Sequence, residues 1–410
     1  MTIIGSKIQR GCFATFGDIS LLILIIIIGC LLFFLRGFQD NRVLEPEKSP
    51  FSPVVISRNK QRRIRIILPT GGSGLIQDAK IYQALIPNSY IVQVDRNSPD
   101  THPEMNVKVD INLYLESIHA YNLFPANSRW LMVNQEYFSP CYAEMVDVLI
   151  AKSRYAERLL RDYVKKMDLT TRVVYLGHTS LPSRDIFPSS EKDWHLLVQF
   201  AGKSRQKGTA QIIKLWQKNR GFRHLVPDAR LIITCRDTCL SKISDEIANI
   251  PHDGRGWNDP ETGLSLYPYL DDKELSDLRL RAGLFLCPSL IEGYGHYINE
   301  GTANAAVVVT TDFPPMNELV PPNPLLIRPN LILESWQVIE PFGFLEPYLT
   351  GKHLPTSEAC LVDPHHLEEI LAYYLQLERE EKSSLAANNY HHYIARQEEF
   401  KKLLTEFLNS

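Results

Sequence analysis

Residues 284–311 read LFLCPSLIEGYGHYINEGTANAAVVVTT. Leu284–Cys287 and Ala306–Thr310 are short, continuous apolar runs of the kind buried on both faces of a parallel sheet. Between them, small residues from about Tyr297 to Ala305 leave room for a helix, so the stretch reads as strand, turn, helix, strand. The turn carries Pro288-Ser289 and then Glu292-Gly293-Tyr294-Gly295-His296, with Glu300 on the helix that follows. Gly293 and Gly295 let the backbone bend sharply and come close to a ligand. The amides beyond them open a helix, where free N–H groups and the dipole favour a diphosphate. Glu292 in the loop and Glu300 one turn into the helix can then address different parts of one ligand, a sugar and ribose hydroxyls.

Outward from this stretch the alternation of strand and helix continues in both directions. Upstream, Trp194–Ala201 reads as a strand, Thr209–Asn219 as a helix, Ala229–Thr234 as a strand and Asp271–Ala282 as a helix. A separate series begins at Ile64–Leu68 and passes through a glycine-rich turn, a helix from about Gln77 to Leu85 and a strand at Tyr90–Val94. It continues with apolar runs at Trp130–Val133 and Val146–Ala151, a helix at Ser153–Lys166 and a strand at Arg172–Leu176. Two such series predict an α/β protein of two Rossmann-like domains, residues 63–185 and 190–350, facing across a cleft. A helical tail, 355–410, is expected to pack on the outside.

Between strand 194–201 and its helix lies Gly202-Lys203-Ser204-Arg205-Gln206-Lys207-Gly208, a basic loop suited to an anionic ligand. With this loop, the chain resembles the retaining glycosyltransferases of the GT-B architecture, particularly glycosyltransferase family 4. The Pro-Ser, Glu-Gly-aromatic-Gly and Glu-x7-Glu series of their C-terminal domain is present, and Thr310-Thr311-Asp312 and Glu318 follow as the family's strand and loop do. The resemblance implies a hexosyltransferase that moves a sugar from a nucleotide-sugar donor to a glycan, lipid-linked or protein acceptor. It implies Glu292 as the catalytic group facing the sugar, and Lys203, Arg205, Lys207, Gly293, Tyr294, Gly295 and Glu300 as donor-binding. It also implies a donor domain in 190–350, an acceptor domain in 63–185, and neither cofactor nor metal. The family usually has arginine directly after the first glycine of the basic loop. Lys203 stands there instead, a point charge without a bidentate fork. A nucleotide-sugar epimerase or phosphorylase of the same architecture, or a non-catalytic sugar- or nucleotide-binding relic, are the competing readings.

Other candidates are weaker. Pro69-Thr70-Gly71-Gly72-Ser73-Gly74 follows a strand, and Asp95 comes about 20 residues later, as in a dinucleotide fingerprint, but Gln77 stands where its third glycine belongs. Gly72, Ser73 and Gly74 are therefore read as lining the cleft or as a tight turn. Asn134 and Glu136, after the strand ending at Val133, sit where open α/β sheets place ligands and are candidates for the acceptor side; a capping or turn role is the alternative. His178 reads as a solvated or helix-capping residue near the hinge. Cys235 and Cys239 read as buried thiols.

At the N-terminus, Ile19–Leu35 is 17 residues with Ser20 as the one strongly polar member. It spans about 25 Å as a helix, against about 30 Å of hydrocarbon. Residues 19–36 are expected to be a single-pass transmembrane anchor after a tail at 1–18, with 37–62 as a charged, proline-bearing stalk. Its shortness suits thinner membranes of the endoplasmic reticulum and Golgi type, and flanking charges do not orient it. The 44 Lys and Arg nearly balance 47 Asp and Glu, which excludes a general basic field for nucleic acid.

Overall fold

The computed structural model of the chain describes residues 53–56, 61–70, 73–95, 106–118, 123–181, 192–334 and 357–410. The expected anchor, its tail and most of the stalk lie outside these residues, as does Gly72. Among the described residues no helix is long and apolar enough to cross a membrane.

The first lobe is a six-stranded sheet in the order β2-β1-β3-β4-β5-β6. Its strands are β1 (Ile64–Pro69), β2 (Ser89–Val94), β3 (Val109–Leu115), β4 (Ala126–Val133), β5 (Val148–Ala151) and β6 (Arg172–Tyr175). Every neighbouring pair is parallel. Parallel strands need crossovers, so both faces are covered and the strand residues are apolar almost without alternation. Helix α1 (Ser73–Leu85) connects β1 to β2, and α2 (Arg154–Lys166) lies between β5 and β6. The Ser153 side chain starts α2 by accepting the Ala156 amide at 3.0 Å.

The second lobe is a seven-stranded sheet, ordered β13-β12-β11-β7-β8-β10-β9. It comprises β7 (Asp193–Gly202), β8 (Arg230–Cys235), β9 (Trp257–Asp259), β10 (Leu264–Tyr267), β11 (Ala282–Cys287), β12 (Val307–Thr311) and β13 (Leu326–Ile327). Helices α3 (Thr209–Lys218), α4 (Asp272–Arg281) and α5 (His296–Ala303) link them. A hairpin of β14 (Pro329–Glu334) and β15 (Glu358–Val362) follows. Strand order reverses between β1 and β3 in the first sheet and between β7 and β11 in the second. Ligands of open α/β sheets bind at such reversals, beyond the carboxyl ends of the strands.

Two expectations need correction. The tail does not merely coat the outside. Helix α6 (Pro364–Gln376) buries Leu367, Ile370, Leu371 and Tyr374 in the second lobe's core. Helix α7 (Arg379–Asn409) returns across the junction and buries Phe400, Leu404, Phe407 and Leu408 in the core of the first. Apolar residues at helical spacing cannot say which neighbour will cover them, and here two different lobes do. Cys235, the last residue of β8, and Cys239, in the short helix beyond it, form a disulfide. The turn between strand and helix brings their Cα atoms to 5.6 Å, which spacing alone does not establish.

Candidate active site

The basic loop after β7 and the Pro288–Gly295 turn after β11 flank the reversal in the second sheet, so the topology brings them side by side. They are tied by the Leu290 amide, which donates to the Gln206 carbonyl at 2.8 Å. Gln199 on β7 donates to the Lys207 carbonyl at 2.7 Å. Lys207 Nζ lies 3.3 Å from the centre of the Tyr297 ring and 3.5 Å from Glu292 Oε1. The Glu292 carboxylate also accepts from Ser289 Oγ at 2.5 Å, and Ser289 in turn contacts the Tyr297 hydroxyl. Lysine, carboxylate and ring thus form one packed unit at the base of α5.

Gly295 caps α5 with φ +97°, a left-handed conformation that a side chain resists. Eight positions after Glu292, Glu300 is buried at 6 % exposure. Its carboxylate accepts from Gln77 of the first lobe at 3.1 Å and pairs with Arg279 at 3.2 Å. Burial would raise the Glu300 pKa; Arg279, His296, the Gln77 hydrogen bond and Lys207 overcome it and hold the carboxyl below its usual value. Lys207, Glu292 and Glu300 therefore share one electrostatic neighbourhood.

The first lobe closes on this unit from the carboxyl ends of its strands. Gln135 donates to the Glu292 carbonyl at 2.6 Å. A Cβ built on Gly293 would sit 2.6 Å from Glu136 Oε1 and 2.7 Å from Asn134 Cγ and Oδ1, so any larger residue must displace these side chains. Burial, with the charges of Glu116 and Glu292, raises the Glu136 carboxyl to about 8. Elsewhere on the junction, Glu318 accepts the backbone amides of Arg154 and Tyr155, both at 2.8 Å, and so occupies the N-terminus of α2.

At the centre of the junction Asp78 accepts from His178 at 2.6 Å and from His296 at 2.7 Å on a single oxygen. Lys152 lies 3.4 Å from the other oxygen. These two histidines and Asp78 are, among the described residues, the group whose donor atoms lie close enough for a metal ion. The shared oxygen and the ammonium beside it make a closed hydrogen-bonded ion cluster rather than a coordination shell. Burial would raise the Asp78 carboxyl; Lys152 and the two imidazoles instead hold it well below the usual range. Burial lowers His178 to about 4, against the pull of Asp78, so its ring is neutral at pH 7.

No protein-family model matches the chain, and no curated protein matches its sequence. Solved structures do. A UDP-forming α,α-trehalose-phosphate synthase of Burkholderia xenovorans with glucose 6-phosphate matches with a TM-score of 0.55 and 9% identity, over 84% of this chain and 100% of that one. The corresponding synthase of Burkholderia vietnamiensis gives 0.52 and 10%, over 85% and 97%. The fold is GT-B. A GtfA/B complex also matches, with a TM-score of 0.47 and 13% identity; the chain spans 56% of that protein's length.

Within the GT-B frame the structure brings together Lys207, Glu292, Gly293, Gly295, Glu300, Asn134 and Glu136. It leaves two loop cations aside: Lys203 is exposed and paired with Asp237 at 2.9 Å, and Arg205 is also exposed. The loop turns these side chains outward while Lys207, nearest α3, faces in. Tyr294 is buried and donates to the His178 carbonyl at 2.7 Å, which makes it a junction residue. Ser73 and Gly74 belong to the first turn of α1, and a Cβ built on Gly74 would sit 3.8 Å from the His296 ring. His178 is neither solvated nor a helix cap but 1 % exposed, stacked on Tyr82. Sequence reasoning missed Gln77, Asp78, Lys152 and Arg279, which carry no local motif. Tyr297 and His296 lay inside the recognised stretch and could have been singled out from it.

Proposed function

We propose that the protein is a glycosyltransferase that transfers a sugar from a nucleotide-sugar donor with retention at the anomeric carbon. The convergence of Lys207, Glu292 and Glu300 at the strand-order reversal of the second sheet, opposite the first lobe, carries this reading. The UDP-forming enzymes of the same fold support a uridine diphosphate leaving group. In this reading the diphosphate meets the free amides at the start of α5 and the Lys207 ammonium. Preorganised charge there stabilises the leaving group as it departs, without reorganisation. Lys207 supplies that charge, so the transfer is expected to proceed without a metal.

Glu292, released from Lys207 by the incoming diphosphate, faces the sugar and stabilises positive charge at the anomeric centre. Glu300 addresses the ribose hydroxyls. Its oxygens are held by Gln77 and Arg279, so donor entry exchanges the Gln77 contact for a ribose one, and the lobes part to allow it. An anchor at residues 19–36 would keep the enzyme on a membrane, where a lipid-linked acceptor is delivered. Resistance of the full chain to carbonate extraction from membranes tests that part.

The central experiment offers the full-length protein a panel of UDP-sugars and follows UDP release and the anomeric configuration of the product. Glu292→Gln should lower turnover by about 10²-fold or more while the protein still binds UDP. Near-normal turnover in that variant would remove Glu292 from the mechanism, and failure of the parent to bind UDP would remove the reading itself.

A further inference from the structure

The carboxyl ends of β3 and β4 hold a group of side chains that the transfer steps above do not use. Glu116 directly follows β3, at the reversal of the first sheet, and its backbone is left-handed at φ +70°, a strained conformation for glutamate. Asn134, Gln135 and Glu136 directly follow β4. Asn134 Nδ2 donates to Glu116 Oε2 at 2.7 Å, and Gln135 Nε2 donates to the Glu292 carbonyl at 2.6 Å, which fixes the orientation of both amides. Their remaining oxygens, Asn134 Oδ1 and Gln135 Oε1, are buried with no hydrogen-bond partner, and so is Glu136 Oε2. Gln135 as a whole is 2 % exposed. A buried acceptor left unmade costs about 1–3 kcal/mol. Three of them in consecutive residues, against the turn that bears Glu292, are matched by a ligand that brings O–H or N–H donors.

We propose that Glu116, Asn134, Gln135 and Glu136 form the acceptor subsite, and that it takes a neutral or amine-bearing polyhydroxyl acceptor and rejects a phosphorylated one. The inference rests on the glycosyltransferase reading and adds the chemical class of the second substrate. Its sign follows from the local field. The carboxylates of Glu116 and Glu292 both act on Glu136 here, and among the described residues Lys152 is held by Asp78 at 3.4 Å and Lys207 by Glu292 at 3.5 Å on the donor side. The elevated Glu136 carboxyl reports that field, since Glu116 and Glu292 both add to the effect of burial on it. A phosphate dianion would meet the same repulsion. A neutral sugar would find oxygens that accept its hydroxyls, together with a carboxylic acid proton that can be donated back.

The test uses the full-length protein saturated with UDP and titrated calorimetrically with glucose, glucosamine and glucose 6-phosphate. Glucose and glucosamine should bind at least ten-fold more tightly than glucose 6-phosphate. Glu116→Gln, which keeps shape and removes charge, should narrow that gap; Glu136→Lys, if it folds, should reverse it. Equal or tighter binding of glucose 6-phosphate by the parent overturns the inference, as does binding of none of the three sugars. UDP binding with the wrong sugar order leaves the transferase reading standing, whereas absence of UDP binding defeats both.

Discussion

Replacing Gly293 by alanine should act as a wedge between the lobes. The new methyl carbon would lie 2.6 Å from Glu136 Oε1 and 2.7 Å from both Asn134 Cγ and Asn134 Oδ1, all three on the opposite lobe. Contacts below about 3.0 Å do not survive, so the side chains or the lobes must give way by several tenths of an ångström. The backbone at Gly293 is not in the left-handed region, so alanine adds no conformational strain there and the whole effect is steric. Overpacking of this kind costs about 1–3 kcal/mol. In a chain of this size that amounts to a fall in Tm of roughly 1–2 °C per kcal/mol. Turnover should fall further than stability does, because the wedge separates Gln135 from the Glu292 carbonyl and disturbs the carboxylate beside Lys207. Thermal unfolding and UDP-sugar turnover on the same preparation measure both effects. Adding Asn134→Ala should restore part of the lost stability, since it removes two of the three clashing atoms. An alanine variant with unchanged Tm and unchanged turnover would refute the close approach of the lobes at this turn.

Three further outcomes are expected. Lys207→Ala should weaken UDP binding about 10–100-fold, the worth of a charge-assisted hydrogen bond; Lys203→Ala should change it by less than about two-fold, because that side chain is exposed and paired with Asp237. Glu136 has its carboxyl raised from 4.5 to about 8 by burial, so the folded state holds a proton that the unfolded chain has lost. Its contribution to stability is full below about pH 4.5 and is lost as pH rises towards 8, and Glu136→Gln should flatten that decline in a Tm-against-pH series. Phe400→Ala, which removes a buried ring packed on Tyr82 and His178 with centroids 5.8 and 5.5 Å away, should cost about 3–5 kcal/mol in denaturant unfolding; a loss below 1 kcal/mol would show that α7 does not clasp the first lobe.

What could be read without coordinates was whatever is local. Strands β7, β8, β11 and β12 were legible because central parallel strands are covered on both faces and so appear as continuous apolar runs. The turn at Glu292–Gly295 was legible because glycine spacing and a helix start are encoded within a few residues. Strand β3 was not, since Asp110 and Asn112 interrupt its apolar run. The structure shows Asn112 fully buried, paired with Arg65 of β1 and with the Phe124 carbonyl, so its polarity is satisfied across the sheet rather than by water.

The sequence by itself determined the two α/β series, the glycine turn that opens a helix and the identity of three charged groups, because each depends on neighbours along the chain. Only the tertiary structure decided that Lys207 faces Glu292 while Lys203 faces solvent, that Glu300 is held by Gln77 and Arg279, and that Asp78, His178 and His296 meet between the lobes. These contacts join residues up to 223 positions apart. Their energies come from burial and from opposing charges brought together by sheet order and by the return of α7, and no periodicity in a linear chain records either.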